Sequence, residues 1–238
     1  MNKSLAVLAA AATAAASLAV AAPALAYDRD LYGRAAASMI ERSDIPDALG
    51  TFKKGLAFNA FATSGKTFVC DVPQSDPNAS DVAVYFPGPE YMFTASYSGK
   101  GKDAPSVDVT VNQYATAEDA ISAFDTLKKN VKKCSGTGSN TWTDDDGTTT
   151  TYSTALTNGV VPAVTTTGVE SLFVSNNSLS ESSTGDSKFV NDQYTVYSLV
   201  DDVVISTQYF TNTNTNMTSK QRKAVNQVAF NAETRWLS

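Results

Sequence analysis

The chain has 238 residues, with 18 Lys and Arg against 24 Asp and Glu, a formal charge of −6 and no histidine. A length of this order suits one large domain or two small ones, and such a chain buries about 70% of its unfolded surface. The acidic balance argues against a nucleic-acid binder, which needs a basic face. Without histidine there is no Ser-His-Asp or Cys-His catalysis, no His-ligated zinc and no histidine pH switch.

Asn2 and Lys3 open the chain, an apolar stretch runs from Leu5 to Ala22, and Pro23 precedes the small-residue site Ala24-Leu25-Ala26. That is the order of an export signal. The competing reading is a retained anchor. However, the stretch is mostly alanine, with Leu5, Val7, Leu8, Leu18 and Val20 as its strongly apolar members, less than a hydrocarbon core asks for. Residues 1–26 are therefore expected to be removed, and residues 27–238 to form a single exported, soluble domain beginning at Tyr27. Position 27 is not Cys, so nothing supports a lipoprotein anchor.

A short helix is expected from Asp30 to Glu41, with Leu31, Ala35, Met39 and Ile40 toward the core. Asp44-Ile45-Pro46 ends it, because a residue before proline is pushed out of the helical region. Strand-type segments follow at Leu56 to Phe61, Thr67 to Val72, Val82 to Phe86, Tyr91 to Tyr97 and Val107 to Tyr114. The last alternates plainly, Val107, Val109 and Val111 facing one way and Asp108, Thr110 and Asn112 the other. Thr116 then caps a helix whose apolar stripe is Ala120, Ile121, Phe124, Leu127 and Val131. It ends in Lys128, Lys129, Lys132 and Lys133, read as cations complementing a helix C-terminus rather than as an anion-binding patch.

Cys70 and Cys134 both follow the cleavage site. In an oxidising compartment the default reading of such a pair is a disulfide, against a free thiol or a metal site. Polar, Ser/Thr-rich stretches from Ser135 to Thr151 and from Asn176 to Ser187 read as exposed hairpins or loops. Strands are expected at Thr148 to Leu156, Val169 to Val174, Tyr194 to Val200 and Val203 to Phe210, with Asp201-Asp202 as a hairpin turn. A closing helix begins at Thr218 with a Thr-x-x-Gln box, and Val225, Val228, Ala229, Ala232 and Trp236 form its buried stripe. Val107 to Cys134 and Val203 to Trp236 thus share one order, alternating strand then capped helix. The class is α+β: an antiparallel sheet with two long amphipathic helices on one face and a short N-terminal helix.

No spacing identifies a catalytic set. Asp144-Asp145-Asp146-Gly147 lacks the ligand spacing of an EF-hand and reads as a hairpin turn. Gly99-Lys100-Gly101-Lys102 lacks the Gly-Lys-Ser/Thr ending of a phosphate loop. No cofactor or metal is expected. Tyr85, Tyr91, Phe93, Tyr97, Tyr194 and Tyr197 place aromatics on strands, as core or as a ligand face. The ligand-binding candidates are Tyr91, Tyr97, Tyr194 and Tyr197, on the sheet face expected to lie away from the two helices.

The chain resembles the PknH-like extracellular sensor domain family of actinobacteria. The resemblance rests on the opening helix with Ser43-Asp44-Ile45-Pro46, on Cys70, and on the alternating strand with Tyr114-Ala-Thr-Ala-Glu-Asp-Ala120 leading through a helix to Cys134. The closing strand and helix, Val203 to Trp236, match as well. It implies a curved antiparallel sheet with helices on one side and a cleft for an unidentified ligand. It also implies a non-catalytic, sensor-like binding module at the cell envelope, secreted or cell-wall associated, with an unknown small molecule, glycan or lipid as partner. The chain lacks a kinase segment and the further cysteine pair expected in some members, so what carries over is a binding module rather than a signalling unit. A secreted carboxylate-dependent hydrolase and a structural cell-surface protein are the alternatives.

Overall fold

The structure is a computed structural model that describes residues 29–52, 57–62, 65–74, 80–100, 104–161, 169–184, 188–213 and 216–238. The export-signal reading falls on residues outside these. In chain order the elements are α1 (Arg29–Ser38), two 3-10 turns (Arg42–Asp44 and Asp47–Leu49), β1 (Ala57–Ala62), β2 (Lys66–Val72), β3 (Val82–Pro87), β4 (Tyr91–Ser98), β5 (Ser106–Gln113) and α2 (Ala117–Val131). They continue with β6 (Gly136–Thr143), β7 (Thr149–Val160), β8 (Ser171–Ser182), β9 (Lys188–Val200), β10 (Val203–Thr213) and α3 (Ser219–Leu237). Eight strands form one open sheet in the order β1-β4-β5-β10-β9-β8-β7-β6, neighbours paired antiparallel, and β2 and β3 form a separate antiparallel hairpin. The sheet is open: its end strands, β1 and β6, are not paired with each other. The α+β class stands.

Local chemistry sets several of the boundaries. Thr116 Oγ1 accepts the backbone N–H of Asp119 at 3.1 Å, and Thr218 and Gln221 form the reciprocal box at the start of α3. Asp201, in the two-residue turn joining β9 to β10, takes a positive φ of 55°, a conformation Asp tolerates better than most residues. At the β6–β7 turn the Gly147 N–H donates to Asp144 O at 2.9 Å, and Gly147 supplies a φ of 85°.

The placement of the helices corrects the sequence reading. In β10, Val203, Ile205 and Tyr209 pack with α1 and α3, whereas their neighbour Val204 packs with α2. In β9, Tyr194, Val196 and Val200 face α3, while Tyr197 and Leu199 face α2. Successive strand residues point to opposite faces, so α2 and α3 lie on opposite faces of the sheet rather than sharing one. The hairpin β2–β3 lies on the α2 face, where Phe86 meets Tyr197 edge-on at 6.1 Å. The sheet is thus covered on both sides near its centre, which explains the near-continuous apolar runs Leu199-Val200 and Val203-Val204-Ile205.

Of the two readings open for the polar stretches, hairpin or loop, the structure takes the hairpin for the first, as β6 and β7, and the second is largely strand. β6 is exposed almost throughout, and β8 extends to Ser182. Across the β6–β7 pair the side chains meet as cross-strand hydroxyl contacts, Ser139 with Ser153, Thr141 with Thr151 and Thr143 with Thr149 at 3.1–3.4 Å, and β6 contributes no buried apolar row. A strand without an inward apolar row leaves no alternation to read.

Candidate functional site

The four tyrosines do not form a surface. Tyr97 is buried on the α3 face, where its hydroxyl donates to Ile40 O at 2.6 Å. Tyr194 is buried on the same face, stacked on Phe173 at 5.2 Å with the Arg222 guanidinium 5.7 Å from its ring. Tyr197 is buried on the other face, under the hairpin. Tyr91 is half-buried against the α3-side core. Burial pushes the hydroxyl pKa of Tyr97, Tyr194 and Tyr197 upward, so these groups stay neutral. The face expected to be free for them does not exist in that form, because α2 and the hairpin cover the centre of the side opposite α3.

Elsewhere that side is polar. Among the positions of β4, β5 and β10 that share its orientation with Val204 are Thr94 and Ser96, Asp108 and Thr110, and Ser206, Gln208 and Phe210, all half-buried. Thr94 and Thr110 pair through their hydroxyls at 2.9 Å. Asp108 lies directly between Ser96 on β4 and Gln208 on β10 in the register. Partial burial raises its pKa above the ordinary carboxylate value, and a hydrogen bond from Ser96 offsets part of that rise. Gln208 is paired in turn with Thr195 of β9, whose hydroxyl accepts from Gln193 Nε2 at 3.3 Å. The result is a carpet of hydroxyls and amides around one carboxylate, bordered by Phe210. The sequence carried a signal for it, since Asp108, Thr110 and Asn112 alternate with Val107, Val109 and Val111. What the alternation could not show is that this polar row continues across β4 and β10.

On the far side of the hairpin, β3 and α2 enclose a pocket of about 480 Å³. Asn130 Nδ2 donates to Tyr85 O at 2.7 Å across it, and Val82 and Tyr85, 53% and 41% exposed, line it. The disulfide Cys70–Cys134 joins β2 to the residues just past α2, so the hairpin and helix are tied together.

The remaining acidic cluster is a turn. Thr148 N–H donates to Asp146 Oδ1 at 2.8 Å, which lowers that carboxyl's pKa. Among the described residues no group of three or more His, Cys, Asp or Glu side chains gathers in a metal-binding arrangement, and no helix is long and apolar enough to cross a membrane.

No family model matches the chain, and no curated protein sequence matches it. Among solved structures it is similar to the extracellular domain of PknH from Mycobacterium tuberculosis, with a TM-score of 0.52 and 15% identity over 85% of this chain and 96% of that one. The chain has the fold of the PknH extracellular domain.

Proposed function

We propose that the chain is a secreted, non-catalytic ligand-binding domain of sensor type, acting at the cell envelope, and that the carpet around Asp108 is its binding surface. The fold it shares with an extracellular domain supports the compartment, as does the disulfide. The observation that carries the binding role is the half-buried row Ser96–Asp108–Gln208 on a sheet face whose neighbouring centre is closed by α2 and the hairpin. Polar side chains held on rigid strands present fixed donors and acceptors, and Phe210 adds an apolar surface for one face of a ring. Such a surface suits a hydroxyl-rich, uncharged ligand of the glycan class. Asp108 accepts hydrogen bonds from it, and the Gln208 amide both donates and accepts.

Retaining or inverting glycoside hydrolysis needs two facing carboxyl groups. The register neighbours of Asp108 are Ser96 and Gln208, a hydroxyl and an amide, so binding is favoured over turnover. The experiment is native mass spectrometry of the protein from its own culture medium, followed by calorimetric titration with the neutral envelope glycans it retains. Asp108→Asn and Gln208→Ala should each weaken binding about tenfold, in line with loss of one charged or well-placed hydrogen bond. Glycan binding that survives both substitutions unchanged would remove this surface from consideration, and release of cleaved sugar would replace the binder with a hydrolase.

A further inference from the structure

The lysines closing α2 have different surroundings. Lys128 is engaged by Glu170 at 2.6 Å and by Asp125 at 3.7 Å. Lys133 is exposed, its ammonium has no ion-pair or hydrogen-bond partner among the described residues, and it borders the pocket between β3 and α2. Lys66 of β2 is likewise exposed and unpaired among those residues, and it borders the same pocket. Lys66 marks the Pro87 end of β3, and Lys133 lies nearer its middle. Lys66 pairs in register with Pro87, the last residue of β3. Lys133 precedes Cys134, whose disulfide partner Cys70 pairs with Val84. From Val82 to Pro87 the strand covers about 17 Å at about 3.4 Å per residue.

Around these cations the lining is mainly apolar, with Val82 and Tyr85 standing open to solvent. Thr126 and Asn130 are its polar members from α2, and Asn130 already spends one N–H on Tyr85 O. Among the described residues no acidic side chain lines the pocket, although the chain as a whole carries a charge of −6. Two unpaired ammonium groups flanking apolar surface, on an otherwise acidic protein, mark a local charge complement for an anion that also has apolar substance to bury. The volume of about 480 Å³ lies within the range of about 300 to 1,000 Å³ usual for small-ligand sites.

We propose that this pocket binds a single-chain amphiphile with an anionic head, its apolar part lying along Val82 and Tyr85 and its charge met by Lys133 or Lys66. The proposal is independent of the glycan surface, since the pocket and the carpet around Asp108 share no residue. The sheet face supplies uncharged polar groups, whereas the pocket supplies cations and carbon.

Titration calorimetry of the secreted protein with monomeric dodecyl phosphate tests it. Saturable one-to-one binding is expected. The double variant Lys66→Gln with Lys133→Gln should weaken it tenfold or more, and dodecyl maltoside, the uncharged comparator, should bind the wild type at least tenfold more weakly. Inorganic phosphate alone should give no measurable binding. Affinity for dodecyl phosphate that is unchanged in the double variant would overturn the proposal. So would inorganic phosphate binding as tightly as dodecyl phosphate, which would make the site a simple anion site. Amide chemical-shift changes on the wild-type protein give a second readout that does not depend on any variant folding: they should centre on Ala83 to Phe86 and on Asn130, and changes confined to β4 and β5 would also overturn it. Glycan titrations of the same double variant should match the wild type, which separates failure here from failure of the sheet-face reading.

Discussion

Glu233 on α3 is 2% exposed, accepts the Ser171 hydroxyl at 3.3 Å through Oε1, and leaves Oε2 without a hydrogen-bond partner among the described residues. Burial raises its pKa, and hydrogen bonds from Ser198 and Ser171 pull it part of the way back. A carboxyl with a native pKa above its unfolded one holds its proton more tightly when folded. Between the two values the folded state therefore binds more protons, and stability contributed by this group falls as pH rises. The contribution is present below the unfolded pKa of about 4.3 and is lost as pH climbs through the native value. Glu233→Gln, which copies the protonated form, should melt higher than the wild type at pH 7, and the gap should shrink as pH is lowered toward about 4. Calorimetric melting temperatures at both values check this, and a gap that widens on acidification would refute it. Other residue-scale features were open to sequence reading. The caps at Thr116 and Thr218 needed just the local spacing, and the Asp201 turn needed two neighbouring acids between apolar runs. The tyrosines were not open to it, because a strand tyrosine looks alike whether its ring faces water or a helix.

At the scale of elements, the opposed helices make a direct prediction. Val204 lies under α2, while Ser206, two residues on and on the same face, belongs to the half-buried polar carpet. Val204→Ser should cost about 2 to 3 kcal/mol, from lost burial plus an inserted hydroxyl. Ser206→Ala should stay within about 0.5 kcal/mol. Urea unfolding measures both, and equal tolerance at the two positions would restore a wet face with both helices on the other side. The hairpin β2–β3 pairs with no strand of the main sheet, so its attachment rests on side-chain packing against α2 and the sheet face beneath it and on Cys70–Cys134. With a sequence separation of 64, the cross-link is worth about 4 kcal/mol in the chain-entropy account. Reduction should lower the melting temperature and raise amide exchange first in β2 and β3, ahead of β5, β9 and β10; uniform loss of protection across all of them would contradict a separately attached hairpin. The bond also keeps β3 beside α2, and so keeps the pocket between them.

For the whole molecule, the expected mature form begins at Tyr27, and N-terminal sequencing of protein from the medium checks it; full-length protein held in the membrane fraction would count against export. The sequence by itself determined the α+β class, the two capped helices, the antiparallel hairpins and the cysteine pairing. Each of these follows from short-range chemistry: periodicity along one element, a hydroxyl three residues from an N–H, a thiol pair in an oxidising compartment. What the tertiary structure decided was which face each helix covers, and therefore which strand residues are core and which can meet a ligand. Periodicity gives the orientation of a side chain relative to its own strand, but not what is packed above it. Val203-Val204-Ile205 already departs from alternation, as two-sided burial requires. Only the register of β4, β5 and β10 places Asp108 between Ser96 and Gln208, residues distant in sequence that pairing sets side by side.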